Sequence, residues 1–306
     1  ARKLDSDYGK FIDSTLDRFV EVFAFLGLVF YLRPHTLGPL VAAAAITGSL
    51  QARLTDGEKA GLADIPTKSL AAWEAFQLGN QRRAKRNSAS LAEAEAFFKK
   101  AIALDPQFHL AQVLLADTYI SQAWYSGKDL NTQLDKATAV IEPVRTAFPD
   151  MPEALSTAGT IAIYRGQGTL GERQLREVLA KRPNYVPALH VLADYLPGTG
   201  KRAEAIQMID RAIAVDPLSA VLYGKRAAIK EDQGRYEASK ADYLKALEID
   251  PGFASAKAGI GTLNAYVFNR LDQSVKDIQD VIAMDPGNPM YRNMLVVTYQ
   301  DIGLHA

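Results

Sequence analysis

The run Ala212-Ile-Ala-Val-Asp-Pro217 ends in the phrase that decides the fold, because the same phrase returns at fixed distance. It reads Glu-Ile-Asp-Pro at 248–251, Ala-Met-Asp-Pro at 283–286 and, earlier, Ala-Leu-Asp-Pro at 103–106. An apolar periodic stretch that meets Asp-Pro marks a helix end, since proline lacks the amide and clashes with the preceding turn. Pro183 to Pro217 is 34 residues, Pro217 to Pro251 is 34 and Pro251 to Pro286 is 35. A period of this size, sustained, is the mark of a stacked array in which each unit is one pair of helices.

Inside each unit, small and large residues fall where two antiparallel helices must touch. Leu192-Ala193 precedes Ala205, Ile209 and Ala212; Tyr223 and Ala227 precede Tyr236, Tyr243 and Ala246; Leu155, Ala158-Gly159 and Ala162 precede Leu175. Gly200 and Gly234 sit between the two helices of their units, where a positive φ is often needed. Period and positions together resemble the tetratricopeptide repeat. That resemblance implies an all-α solenoid of helical hairpins over 70–306, about six pairs plus a last unpaired helix, and it implies protein partners. Two earlier units, from Trp73 and Leu78-Gly79 through Phe98 to Pro106 and from Leu115-Ala116 through Ala137 to Pro149, are expected to carry longer turns. Pro143 is expected to disturb the second helix of the latter. Tyr291, Met294, Leu295 and Tyr299 open a further first helix whose partner is absent, so the C-terminal end is expected to self-associate.

Composition narrows the function. Lys plus Arg (35) balance Asp plus Glu (35), which removes the positive field that non-specific nucleic-acid binding requires. The absence of cysteine excludes disulfides, thiolate metal sites and cysteine nucleophiles. His35, His109, His190 and His305 stand far apart and in no metal-ligand spacing. Gly166-Gln-Gly168 and Gly198-Thr-Gly200-Lys201 read as turns and not as phosphate loops. The cluster Arg82, Arg83, Lys85, Arg86 reads as a solvated helix end, the alternative being a contact for acidic lipid or protein if an N-terminal hairpin brings it near a membrane surface. No intrinsic catalytic activity and no resident cofactor are expected of the repeats.

The first residues differ in kind. Phe19 to Leu32 is apolar apart from Glu21, and Thr36 to Leu50 is a second apolar run, with Arg33-Pro34-His35 between them. An apolar helical hairpin over 1–54 follows, and then a linker over 55–69. Arg2, Lys3, Lys10 and Arg18 before it and Arg53 and Lys59 after it place both ends on the cytoplasmic side of a membrane, the alternative being a soluble cytoplasmic hairpin. Ala1-Arg2, Gly9, Asp13 and Asp17 resemble the second half of the CDP-alcohol phosphatidyltransferase signature, D-x-x-D-G-x-x-A-R followed by G-x-x-x-D-x-x-x-D. Asp13 and Asp17 lie four apart and share one helix face; without the resemblance they read as polar residues near a helix start. The resemblance implies that they are metal ligands for Mg2+ once the missing half of the site is present, with Asp17 as general base in a phospholipid-synthesis enzyme.

A second resemblance begins where the first ends. Leu50-Gln-Ala-Arg-Leu-Thr, Thr67-Lys68-Ser69, Ala72-Trp73, Leu78-Gly79 and Ala101-Ile-Ala-Leu-Asp-Pro106 are similar to the C-terminal repeat regions of bacterial adenylate cyclases and winged-helix regulators. That implies a regulatory repeat region. The chain starts at Ala1 and stops within a repeat, which reads as a piece of something longer.

For the repeats themselves the expected mechanism is a groove. The first helix of each pair lines the concave side of a solenoid, and the alignment places Asn80, Asp117, Thr160, Tyr164, His190, Asp194 and Glu231 on it. They mix polar, aromatic and acidic types with no dense Lys/Arg clamp. The expected ligand is a protein or peptide segment held there by a scaffold that is membrane-associated, with its repeats in the cytoplasm.

Overall fold

Polar caps set the first helix starts. Ser69 accepts a hydrogen bond from the Ala72 amide, Asn87 from Ser90 and Asp129 from Thr132, each satisfying a donor that the first turn leaves free. From such starts the computed structural model, which describes residues 66–301, builds helices only, with no strand among the described residues. In chain order they are α1 (Leu70–Ala84), α2 (Ser88–Leu104), α3 (His109–Tyr125), α4 (Leu130–Ala147), α5 (Pro152–Tyr164), α6 (Gly168–Lys181), α7 (Val186–Tyr195), α8 (Arg202–Val215), α9 (Ala220–Asp232), α10 (Tyr236–Ile249), α11 (Ala254–Tyr266), α12 (Leu271–Met284) and α13 (Pro289–Asp301). A 3-10 turn, Leu196–Thr199, joins α7 to α8.

Each odd helix packs on the even helix that follows, and α13 packs on α12. Within a pair the contact is made by the small and branched residues of the repeat pattern: Leu189, Leu192 and Ala193 of α7 and Ala205, Ile209 and Ala212 of α8 are all fully buried. Burial of each such Leu or Ile is worth about 1.5–3 kcal/mol, which is the main force holding a hairpin together. Tyr236 is the exception to the pattern, 39% exposed at the start of α10.

The turn inside each hairpin uses one left-handed residue. It is Arg86 (φ 50°), Gly127 (61°), Gly166 (79°), Gly200 (83°), Gly234 (72°) and Asn269 (53°) in the six successive pairs. Four of the six are glycine, the residue that adopts this conformation without a Cβ penalty, and one is asparagine.

One expectation needs correction in part. The turn of the first unit, 85–87, is as short as 165–167 and 233–235, and that of the second, 126–129, is longer by one residue only. Their extra length lies in the helices, 17 and 18 residues in α3 and α4 against 13 and 14 in α9 and α10. Pro143 lies inside α4, which runs on through it from Leu130 to Ala147. Its side chain is exposed, so the ring faces solvent and the hairpin core is untouched.

No helix among the described residues is long and apolar enough to cross a membrane. The hairpin expected over 1–54, with Asp13 and Asp17, lies outside the described residues.

Candidate functional site

Successive first helices, α1, α3, α5, α7, α9 and α11, also pack on one another, whereas successive second helices do not do so to the same extent. The first helices therefore form the inner, concave wall, and their inward side chains line a groove. Three residues expected there do converge, Tyr164, His190 and Asp194, while Asp117 stands beside Arg83 and Arg86. The Thr157 hydroxyl donates to Asp117 Oδ1 at 2.8 Å, tying α5 to α3. Lys225 Nζ, from α9, donates to both oxygens of Asp194 at 2.9 and 2.7 Å. The Tyr164 ring lies 5.3 Å from that of Trp124, whose indole is half exposed.

Burial tunes these groups. Burial raises the Asp117 carboxyl, opposed by the positive charge of Arg83. Burial, and next the neighbouring Asp194 charge, pushes the Tyr164 phenol up to about 12. Burial lowers His190 to about 4, helped by Lys225 and Arg86, so its imidazole is neutral at physiological pH. Its Nε2 is enclosed and has no hydrogen-bond partner.

The other three expected residues do not join them. Asn80 serves Arg83, whose Nη2 donates to its Oδ1 at 3.4 Å. Thr160 is buried and its hydroxyl returns to the Ser156 carbonyl of its own helix. Glu231 turns toward α10, accepting from the Tyr243 hydroxyl at 3.2 Å.

The basic cluster is not a uniform solvated helix end. Arg82 pairs with Glu93 at 2.9 Å and Lys85 is exposed, but Arg83 and Arg86 face the groove. Neither makes an ion pair among the described residues, the Arg83 Nε has no hydrogen-bond partner, and the Arg86 guanidinium sits 5.6 Å from the centre of the Tyr125 ring. The charge of Arg86 lowers Arg83 further, after burial. The groove thus holds three cations, Arg83, Arg86 and Lys225, which sequence reading missed. For Arg86 a signal was present: it occupies the turn position at which later units place glycine.

A cavity of about 210 Å³ opens into the groove between α5 and α7, lined by Ile163, Tyr164, Val191, Asp194, Tyr195 and Gly198. A larger one of about 280 Å³ lies on the outer side, between α4, α5 and α6. Its two arginines are already engaged, Arg145 by Glu142 and Arg165 by Asp135, so it offers no free cation to a ligand. No group of His, Asp or Glu among the described residues could hold a metal ion.

A family model for the tetratricopeptide repeat matches residues 83–108 and 220–253, that is, α2 with the turns on either side of it and the whole α9–α10 hairpin. These two segments match the tetratricopeptide repeat, and the array as a whole has a tetratricopeptide-like fold. Among curated proteins, mouse sperm-associated antigen 1 is 29% identical over 105 residues, which cover 34% of this chain and 11% of that protein. Among solved structures, a thermophilic tetratricopeptide-repeat protein of Thermus thermophilus superposes with TM-score 0.54 at 17% identity, over 63% of this chain and 99% of that one. A chain of the APC/C hetero-tetramer Cut9–Hcn1 gives 0.57 at 14% identity, over 86% of this chain and 52% of that one. At these identities the structural matches speak to the fold alone: an all-helical, tetratricopeptide-like solenoid.

Proposed function

We propose that the concave groove holds an extended segment of a protein partner, with Tyr164, Trp124 and His190 contacting its apolar and polar groups and Arg83 and Arg86 its acidic side chains. The observation that carries this reading is the placement of two guanidiniums free of ion pairs, Arg83 near Asp117 and Arg86 near the enclosed His190 imidazole, whose Nε2 has no partner. Buried polar groups without partners are costly, so a ligand that supplies carboxylates and hydrogen bonds recovers that cost on binding.

Selecting a random peptide library on the protein tests this directly. The enriched peptides should be acidic, and Tyr164→Ala with Arg83→Gln should weaken them about tenfold or more, consistent with losing a charged hydrogen bond and an aromatic anchor. Peptides that bind wild type and this variant alike would refute the groove as their site.

Self-association through α13 is a second reading, supported by Met290, Val296 and Val297 on that helix, 47%, 53% and 46% exposed. Sedimentation of Val296→Lys/Val297→Lys against wild type decides it. Membrane tethering and a phosphatidyltransferase origin rest on residues 1–54, and a cyclase-type regulatory role rests on residues 50–118. Fractionating the full chain beside one lacking residues 1–60 tests the tether: only the full chain should need detergent.

A further inference from the structure

A solenoid usually keeps its ends apart, and here they meet. The Ser88 amide, in the first hairpin turn, donates to Asp285 Oδ1 at 3.4 Å across 197 residues. The Ser88 hydroxyl donates at 3.0 Å to the Tyr125 carbonyl, which binds the first two turns into one edge. Opposite them stands the loop from α12 to α13. Each side of the contact has a glycine where no side chain fits: a Cβ on Gly287 would lie 2.9 Å from the Ser88 Cβ, and one on Gly127 would lie 2.5 Å from Pro289 Cγ. Asp285 is buried, 5% exposed, whereas Asp216 at the same place in an earlier repeat is exposed.

Groove electrostatics agree with closure, since residues of distant repeats feel one another: Arg86 of the first pair acts on His190 of the fourth, and Tyr125 of the second acts on Lys225 of the fifth and on Tyr291 of α13.

The geometry points to a latched ring: the turns at Ser88 and Gly127 dock on the Asp285–Pro289 loop, so the groove is enclosed and a partner segment enters it end-on unless the latch opens. The entry half of this inference rests on the groove reading above; the latch does not.

The cysteine-free chain makes the test clean. In the full-length protein, Ser88→Cys with Gly287→Cys starts with the two Cβ atoms 2.9 Å apart, so the two sides must part by about 0.6 Å or more to reach the 3.5–4.5 Å spacing of disulfides, a shift that a bond across the contact tolerates and the bulkier leucine wedge below exceeds. Mild oxidation should join them within one molecule, read by mass and by loss of free thiol. Ser88→Cys with Gly252→Cys, the same repeat position one unit earlier, should not cross-link. Equal yields from both pairs, or none from the first, would overturn the latch. A wedge, Gly287→Leu, should raise the radius of gyration by small-angle scattering while helicity is kept; an unchanged radius counts against the latch.

For entry, a peptide from the library selection is fused between two folded domains. It should bind the reduced Ser88→Cys/Gly287→Cys protein and lose about tenfold or more in affinity, ~1.4 kcal/mol, for the oxidised one, while the same peptide with a free end binds both. Equal binding of the fusion to both forms would overturn end-on entry. Failure of either peptide to bind the reduced protein would instead remove the groove reading, leaving the latch decided by cross-linking.

Discussion

The first two hairpins and the last two use the same repeat but are held together differently. In α1–α4 the core is aromatic: Trp73, Phe76, Phe98 and Phe108 stack with ring centroids 4.8 to 6.2 Å apart and all are at most 3% exposed. In α9–α12 half of the buried apolar residues are alanine, the rest being mainly aliphatic, and polar networks cross the hairpin seams. Asp242 receives Arg226 Nε and Nη2, each at 2.8 Å, and Lys230 at 2.6 Å; Asp277 receives Asn264 at 2.8 Å and Gln273 at 2.9 Å. The repeat specifies spacing, then, and leaves the chemistry of each seam free. Aromatic seams gain area, whereas polar seams gain direction at the risk of a stranded charge.

The largest effect should come from the aromatic end. Phe98→Ala should cost about 3–5 kcal/mol, because Phe76 loses its ring neighbour and the helices cannot close the gap; urea unfolding measures it. A loss under about 1 kcal/mol would mean that this end is loosely packed. In the polar seam, Asp242→Ala should cost about 1.5–3 kcal/mol by stranding Lys230 and leaving Arg226 with Asp210 alone, and pairing it with Arg226→Met should recover part of the loss. Absence of any recovery would show that the seam is held by its alanines.

A smaller effect should run the other way. Arg86 sits at φ 50° where four other turns use glycine, so Arg86→Gly should stabilise by about 1 kcal/mol, the cost of a left-handed side-chain residue. The same change should weaken acidic peptides in the groove. If stability falls instead, the Arg86–Tyr125 contact is worth more than the strain.

The smallest effect is in acid. His190 is lowered to about 4 in the fold against about 6.5 unfolded. Between these values the unfolded chain binds the extra proton, so this contribution is whole above about pH 6.5 and is lost as pH falls toward 4. His190→Gln should therefore lose less stability than wild type between about pH 7 and 4.5, and an NMR titration should place the His190 midpoint near the lower value. A midpoint near the unfolded value would show the groove to be open to water at that point.

The spacing of Asp-Pro phrases made the hairpins legible, because a helix end and a period are local properties of the chain. Gly200 and Gly234 likewise announced their turns. What stayed hidden was which first-helix residues meet across repeats. Asp194 was placed on the groove without its partner Lys225, because that pairing joins α7 to α9 and depends on the curvature of the array. Arg83 and Arg86 looked like any charged helix end until curvature brought Arg83 near Asp117 and Arg86 near His190. Thr160 and Glu231 fell on the expected helices, but rotation about the helix axis sent one back to its own backbone and the other to a neighbouring tyrosine.

The central claim is that the concave wall is the binding surface. The most direct measurement places single cysteines at Trp124, Tyr164 and His190 inside and at Thr138, Arg145 and Leu170 outside, and follows thiol labelling with and without a library-selected peptide. Slower labelling of the inner three alone is the predicted result; protection of the outer three with the inner three unchanged would contradict it.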